Sequence, residues 1–345
     1  MKAAYITKDH KIEYGDFPKP ILREGEALIK VNACALNHLD IHLAIGKLDI
    51  PLPHISGSDV SGTIEEINGD SELKVGQEVI INPAIPCGKC RFCQKGLPCE
   101  IVIIFGYRTL GGFAEYVAVP VGQLYPKPEK LSFVEAAAIP LTFLTAYHML
   151  VTRANLQRSE TVFVWGASGG LGSVAIQIAK NIGAKIIAAA KTEEDAKIIK
   201  NMGADHVIIY SNLNVKDEVE RLTNGEKIDV VFETVGAKTW NVSLSILRPH
   251  GRVVVAGTTS GELTSQDLSD IYYFQQTILG SRMGTKEDFE QVLRLVNQGK
   301  LKPVLDKVFQ LKDFEQAIKR LQESKHIGKI VLEVCGREDS NLRRH

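Results

Sequence analysis

The sequence predicts an α/β chain of two domains: a doubly wound parallel sheet, and a β-rich domain carrying a cysteine lobe. Three observations support this. Residues 161–191 read as strand, glycine run, helix and strand. Beyond 191, apolar strand-like segments alternate with amphipathic helical ones, the rhythm of a parallel sheet covered by helices. Before 126 the chain shows short β-prone runs between turns, with four cysteines crowded into 87–99. A length of 345 residues leaves room for two cores.

The glycine stretch anchors the reading. Residues 161–165 (TVFVW) suit a strand buried on both faces. Gly166, Gly169, Gly170 and Gly172 follow, with Ser168 and Leu171 among them. Val174, Ile178 and Ile182 then recur at helical spacing, Gly183 stops the helix, and 185–190 is a second strand. Gly166 suits a tight turn, Gly169 and Gly170 let backbone N–H groups approach a pyrophosphate, and Gly172 lets the helix pack on the strand. The helix N-terminus favours phosphate charge. The Gly-x-x-Gly-x-x-Gly spacing alone fits any tight turn; the strand-helix-strand setting makes a dinucleotide the expected ligand. A NAD site usually has an acid at the end of the second strand, but Ala190, Lys191 and Thr192 stand there. Lys191 would attract a 2′-phosphate, so NADP(H) is expected over NAD(H), although a solvated surface lysine reads the same way.

Composition narrows the function classes. The chain is 44% hydrophobic and 24% charged with formal net charge zero, which argues against nucleic acid as a partner. No apolar run approaches the roughly 18 residues of a membrane span. The first residues, MKAAYIT, enter a strand without a signal-peptide core, so a cytoplasmic protein acting on a small molecule is expected.

Taken in order, 27–33, 60–67, 78–81 and 113–119 are expected strands, with a turn at 74–76 and a short helix at 37–45. Cys87, Cys90, Cys93 and Cys99 form C-x2-C-x2-C-x5-C. Four thiolates close a tetrahedral site with no open position, so a structural zinc is expected. Pro126 and Pro128 mark a linker, Ser132 caps a helix, and 142–150 continues helically. Helices are expected at 193–202, 216–222 and 239–247, and strands at 207–210, 229–232, 252–256 and 277–279. Tyr210, Thr234, Val235, Gly236, Gly257 and Thr258 fall at the strands' carboxyl ends and line the expected cofactor crevice. Amphipathic helices follow at 286–297 and 314–323, then a closing strand at 330–334 and a frayed tail at 337–345. The expected domains are 1–126 with 284–345, and 127–283.

Several stretches together carry a family resemblance: Val31-Asn-Ala-Cys-Ala-Leu-Asn-His-Leu-Asp40, Gly57-Ser-Asp-Val-Ser-Gly62, the cysteine lobe, Gly111-Gly-Phe-Ala-Glu-Tyr116, the Thr-Ala-Tyr at 145–147, and 166–172. The chain resembles the medium-chain dehydrogenase/reductase superfamily over essentially residues 1–335. The resemblance implies a Rossmann nucleotide-binding domain, a GroES-like catalytic domain and a homodimer or homotetramer. Zinc alcohol dehydrogenases of this superfamily hold a catalytic zinc through a cysteine where this chain has Asn37, a histidine within the stretch matching Gly57-Ser58-Asp59, and often a cysteine matching Leu141. All three ligands are missing. Asn37 and Asp40 are similar to the Asn and Asp of the zinc-free quinone oxidoreductases. The lobe is similar to that of the alcohol dehydrogenases but shorter between its last two cysteines. His38, His42, His54 and Asp59 could instead offer a substitute metal site.

The expected chemistry follows. A nicotinamide supplies hydride, and the protein stabilises developing charge. Without a Lewis acid, reduction of a quinone or activated C=C bond is easier than alcohol oxidation. Asn37 can donate to the oxygen that gains charge, Asp40 orients its neighbours, and the resemblance puts Thr145 near the nicotinamide. An alcohol dehydrogenase with a non-standard metal site and a cofactor-binding protein without turnover remain open alternatives.

Overall fold

The computed structural model describes residues 1–334, and the tail expected to fray at 337–345 lies outside them. The chain divides into two compact units, Met1–Leu141 with Leu305–His345, and Thr142–Val304.

The second unit is built on six parallel strands. Their order across the sheet is His206–Ile209, Lys185–Ala190, Thr161–Val164, Ile228–Glu233, Leu247–Val255, Thr277–Gly280. The chain moves outward from Thr161–Val164 in one direction, then returns to build the other half from Ile228–Glu233. That reversal is the switch point at which doubly wound sheets bind ligands. Thr161–Val164 is central and its last three residues are buried, as its unbroken apolar run requires. Phe163, Trp165, Ile187, Val231, Leu244 and Val253 belong to one buried cluster on this sheet. The helices Gly170–Ile182 and Glu193–Met202 end where Gly183 and Gly203 take left-handed φ of 89° and 117°.

The expected boundary at 283/284 moves to 304 for a visible reason. The helix Lys286–Asn297 is tied into this unit by Asp288, which takes His148 Nδ1 at 2.6 Å and the Thr152 hydroxyl at 2.6 Å. His148 and Thr152 stand on a π-helical turn, His148–Arg153, which continues the helix Pro140–Tyr147.

The first unit is a seven-stranded sheet wrapped around its own core. Its longest strands, Glu26–Ala35 and Asp59–Asn68, pair along their length; Tyr116–Pro120 and Lys329–Glu333 take the other edge of Glu26–Ala35. Phe133–Ala137, capped by Ser132 as expected, sets Ala137 and Ala138 against Ala33, Ala35 and Val331, which carries the unit past 126. The expected linker at Pro126 and Pro128 is therefore partly a strand. Leu124–Pro126 pairs with Glu78–Ile81, and Lys127 N–H donates to Glu78 O at 2.9 Å. Proline is tolerated there because it closes the strand. Leu305–Gln310, not expected as a strand, runs parallel to Lys329–Glu333. Its sequence LDKVFQ lies half in solvent and has no apolar run to announce it.

One glycine is locked by its surroundings. A Cβ on Gly172 would lie 2.2 Å from Gly166 O and 2.5 Å from Ala167 Cα, both backbone atoms. Gly172→Ala should lower stability by about 1–3 kcal/mol or more, as overpacking does. The measurement is the denaturant midpoint; a midpoint equal to wild type would show that the turn relaxes freely.

Candidate functional site

In the first unit, the helix His38–Ala44 begins at Asn37, whose backbone is extended. Asp40 closes that turn: its Oδ2 accepts Asn37 N–H at 2.7 Å, and its Oδ1 accepts Gly57 N–H at 3.2 Å. Asp40 thus ties the segment around Asn37 to the segment around Ser58. Asn37 itself is buried, with both ends of its amide engaged. Its Nδ2 donates to Asp59 Oδ2 at 2.9 Å, and its Oδ1 accepts from Lys329 Nζ at 2.7 Å. An ammonium only donates, so this contact fixes which end of the amide is oxygen. Lys329 Nζ also donates to Leu36 O at 2.6 Å and Asp59 Oδ2 at 2.8 Å, which commits its three protons. The Lys329 and Asp59 side chains are 5% and 0% exposed. Asp59 Oδ1 accepts Leu141 N–H at 2.6 Å. Asn37, Asp40, Asp59 and Leu141 were legible from sequence as matching positions; Lys329, which organises them, was not.

Burial dominates the electrostatics of this cluster. It raises Asp40 to about 7, against the smaller lowering by the Asn37 N–H and the Lys329 charge. Burial also lowers His38 to about 4, helped by His326 and His42. The Cys34 thiol, fully buried beside Asp40 and Asp59, is pushed up.

Asp59 is held by Lys329, His54 Nε2 lies 3.1 Å from Gly106 O, and Leu141 offers no ligand atom. Ser58 is 1% exposed, and its hydroxyl has no partner among the described residues. Among the described residues, Cys87, Cys90, Cys93 and Cys99 are the one group of three or more His, Cys, Asp or Glu close enough to share an ion. Their sulfurs lie 3.5 Å (90–93), 3.9 Å (87–93) and 4.0 Å (90–99) apart. A tetrahedron with metal–sulfur bonds of about 2.3 Å has edges near 3.8 Å, so these four residues fit zinc. Backbone N–H groups of Cys93, Cys87 and Ile101 already point at the sulfurs of Cys90, Cys99 and Cys99, at 3.4, 3.3 and 3.3 Å. The N–H groups of Cys93 and Glu100 lower the Cys90 thiol to about 6. The lobe's own residues are all partly or fully exposed, so it has no apolar core to hold it.

The second unit carries the residues expected from the sequence to bind the nucleotide. Gly166 takes φ 60°, and a Cβ there would lie 3.0 Å from Thr234 Oγ1. The helix Gly170–Ile182 starts at Gly169 with no side-chain cap, leaving its first N–H groups for a ligand. Ser168 and Leu171 flank that start. Ser260 N–H donates to Val235 O at 2.8 Å, and a Cβ on Gly236 would lie 3.0 Å from Thr258 Cα, so the turns holding Val235, Gly257 and Thr258 adjoin. The Tyr210 ring lies 6.1 Å from Trp165, while Ser211 Oγ donates to Lys191 O at 2.9 Å. Tyr210 and Lys191 thus occupy neighbouring strand ends. Lys191 is exposed, and Glu193, Glu194 and Asp195 follow it in the first turn of a helix. Thr145 is buried, with its hydroxyl 4.0 Å from Met283 Sδ. Glu233, not singled out from the sequence, is fully buried. Its Oε1 accepts from Val235 N–H, Gly236 N–H and the Thr239 hydroxyl at 2.7, 3.0 and 3.0 Å; its Oε2 accepts from Ser243 at 2.6 Å. An acid ending the apolar strand IDVVFE was its one sequence signal.

A glycine turn at the switch point of a parallel sheet, in a chain whose other unit is barrel-like and carries a four-cysteine lobe, defines a nicotinamide-dependent dehydrogenase or reductase. Residues 23–129 match the alcohol dehydrogenase GroES-like domain, and residues 170–298 match the zinc-binding dehydrogenase domain. The crystal structure of an NAD-dependent alcohol dehydrogenase superposes with TM-score 0.93 and 37% identity, covering 97% of this chain and 100% of that one. A crotonyl-CoA reductase of Streptomyces avermitilis is 32% identical over 99% of this chain and 87% of its own length. A quinone oxidoreductase of Pongo abelii is 32% identical over 92% of each. The chain belongs to the medium-chain dehydrogenase/reductase superfamily, and it is an NAD(P)-dependent oxidoreductase. No helix among the described residues is long and apolar enough to cross a membrane.

The two shifted groups act on stability in opposite directions. Between the ordinary 3.8 and about 7, folded Asp40 keeps a proton that the unfolded chain has lost, so its contribution falls as pH rises. Between about 4 and 6.5, folded His38 lacks a proton that the unfolded chain holds, so its contribution rises with pH. Asp40→Asn should therefore gain on wild type from pH 4 to 7, by on the order of 4 kcal/mol at full shift. His38→Gln should lose its relative advantage over the same range. Denaturant titrations at three pH values check this; curves parallel to wild type would refute both shifts.

Proposed function

We propose that the protein reduces a quinone or an activated alkene with NAD(P)H and without a catalytic zinc. The observation that carries this reading is the set of side chains at the usual zinc positions. Asn37, Ser58 and Leu141 replace the ligands, and the neighbouring Asp59 carboxylate is committed to Lys329, Asn37 and the Leu141 N–H. Bound NAD(P)H supplies the hydride. When hydride reaches the carbon, charge develops on the conjugated oxygen of the substrate, where preorganised donors act most strongly. The second Nδ2 proton of Asn37 is the donor, and the buried Ser58 hydroxyl is a second one. Asp40 holds the two segments that carry them. Thr145 contacts the nicotinamide end of the coenzyme in this reading.

The coenzyme is NADP(H) in preference to NAD(H), on the absence of an acid at 190–192 and the presence of Lys191; the acids at 193–195 temper that preference. Gly166, Ser168, Gly169, Gly170, Leu171 and Gly172 cradle its phosphates. The cysteine lobe holds one structural zinc. The protein is a homodimer or homotetramer: Thr277–Gly280 is an edge strand, and Leu268, Tyr272 and Tyr273 beside it in sequence are each at least 70% exposed.

Three measurements test these statements. NADPH oxidation is screened with quinones, enones, aldehydes and alcohols. Activity on the first two is expected, and Asn37→Ala should lower turnover about 100- to 1,000-fold with NADPH binding retained. Activity restricted to alcohols and aldehydes, and lost to a chelator that spares the lobe, would refute the reading. Elemental analysis should give one zinc per chain; two would restore a catalytic metal. Lys191→Ala should weaken NADPH more than NADH by on the order of 1–3 kcal/mol. Equal effects would show that the 2′-phosphate is read elsewhere.

A further inference from the structure

We propose that Lys329 is a positioning residue that acts through Asn37: it fixes the orientation of the Asn37 amide and strengthens the amide's second proton as a donor. This inference rests on the reading of Asn37 given above.

The geometry leaves Lys329 no direct role. Its three protons go to Leu36 O, Asn37 Oδ1 and Asp59 Oδ2, so none remains for a substrate. Its charge nevertheless bears on one end of a buried amide. Hydrogen bonds polarise one another in series, and a cation on an amide oxygen makes the amide's N–H groups better donors. One Nδ2 proton is spent on Asp59 Oδ2. The other has no acceptor among the described residues.

The orientation argument is independent of polarisation. Both amide atoms are keyed: oxygen to an ammonium, nitrogen to a carboxylate. A half-turn of the amide would set nitrogen against Lys329 and oxygen against Asp59, losing both bonds. Asp59 is held in turn by Leu141 N–H. The amide therefore presents one N–H in one direction before any substrate arrives, which is the preorganisation that stabilising an oxyanion demands. A buried ion pair is a poor source of stability, because apolar replacements of similar volume often do as well. A role in holding a donor accounts for an ion pair in this place.

A double-mutant cycle tests the inference. Wild type, Asn37→Ala, Lys329→Met and the double variant are compared for kcat and KM with the best quinone or enone from the screen, at saturating NADPH. NADPH binding, followed by fluorescence, verifies the fold of each. Lys329→Met should cut kcat about 10- to 100-fold with KM changed by less than about threefold, and the double variant should be no slower than Asn37→Ala alone. If Lys329→Met fails to fold with Asp59 left unpaired, Asp59→Asn/Lys329→Met replaces it in the cycle, with the same expectation. Losses that multiply in the double variant, or a Lys329 variant with wild-type kcat, would overturn the inference while leaving the proposed reaction standing. A wild type that turns over none of these substrates would overturn both.

Discussion

A buried ammonium is the constraint on which the first unit's polar centre depends. Lys329 lies at the start of a closing strand, yet its Nζ bonds to groups 270 to 293 residues away in the chain. Placing a cation in such surroundings is costly unless every proton finds an acceptor. Leu36 O, Asn37 Oδ1 and Asp59 Oδ2 meet that demand, and in doing so they bring three separate segments into register. Asp59 then orders Leu141 N–H, and Asp40 orders the turns around Asn37 and Gly57. Few conformations of these loops satisfy all those bonds at once, so a polar cluster does here what apolar packing does elsewhere in the sheet.

The second unit uses the same logic with a carboxylate. Glu233 ends a central strand and accepts four bonds from the turn and helix that follow it, with no ion-pair partner among the described residues. Ser243, one of its donors, accepts in turn from Trp165 Nε1 at 2.8 Å. The loop carrying Val235 is thereby tied to the strand that leads into the glycine turn. Positive φ at Gly166, Gly236 and Gly257 lets these turns approach where side chains would collide.

Much of the fold could be read from the sequence because its signals are local. Strand 78–81 and helices 193–202 and 286–297 fall where period and caps put them. The candidate residues of the glycine turn were legible for the same reason, since a backbone demand leaves a glycine in the sequence. The misses have the opposite character. Leu305–Gln310 is a strand because Lys329–Glu333 is available to pair with it, not because LDKVFQ alternates. Pro126 reads as a break but closes a strand whose partner lies near residue 79. Glu233 is keyed by the turn and helix that directly follow it, a local arrangement that an acid at a strand end does not announce, whereas Lys329 looks like an ordinary surface charge until distant segments bury it. Residues whose role is set by partners hundreds of positions away leave no periodic trace.

The contrast between Gly172 and Lys191 bears on how such a protein changes. Gly172 is held by backbone contacts on two sides, so the phosphate turn has almost no freedom to vary. Lys191, Thr192, Glu193 and Glu194, at the rim of the same crevice, are all exposed. Under the proposed reading, coenzyme choice is therefore written on side chains whose exchange costs the fold little, while coenzyme grip is written into the backbone. A lineage, or an engineer, could exchange one nicotinamide coenzyme for the other by a few surface substitutions and leave folding stability nearly untouched.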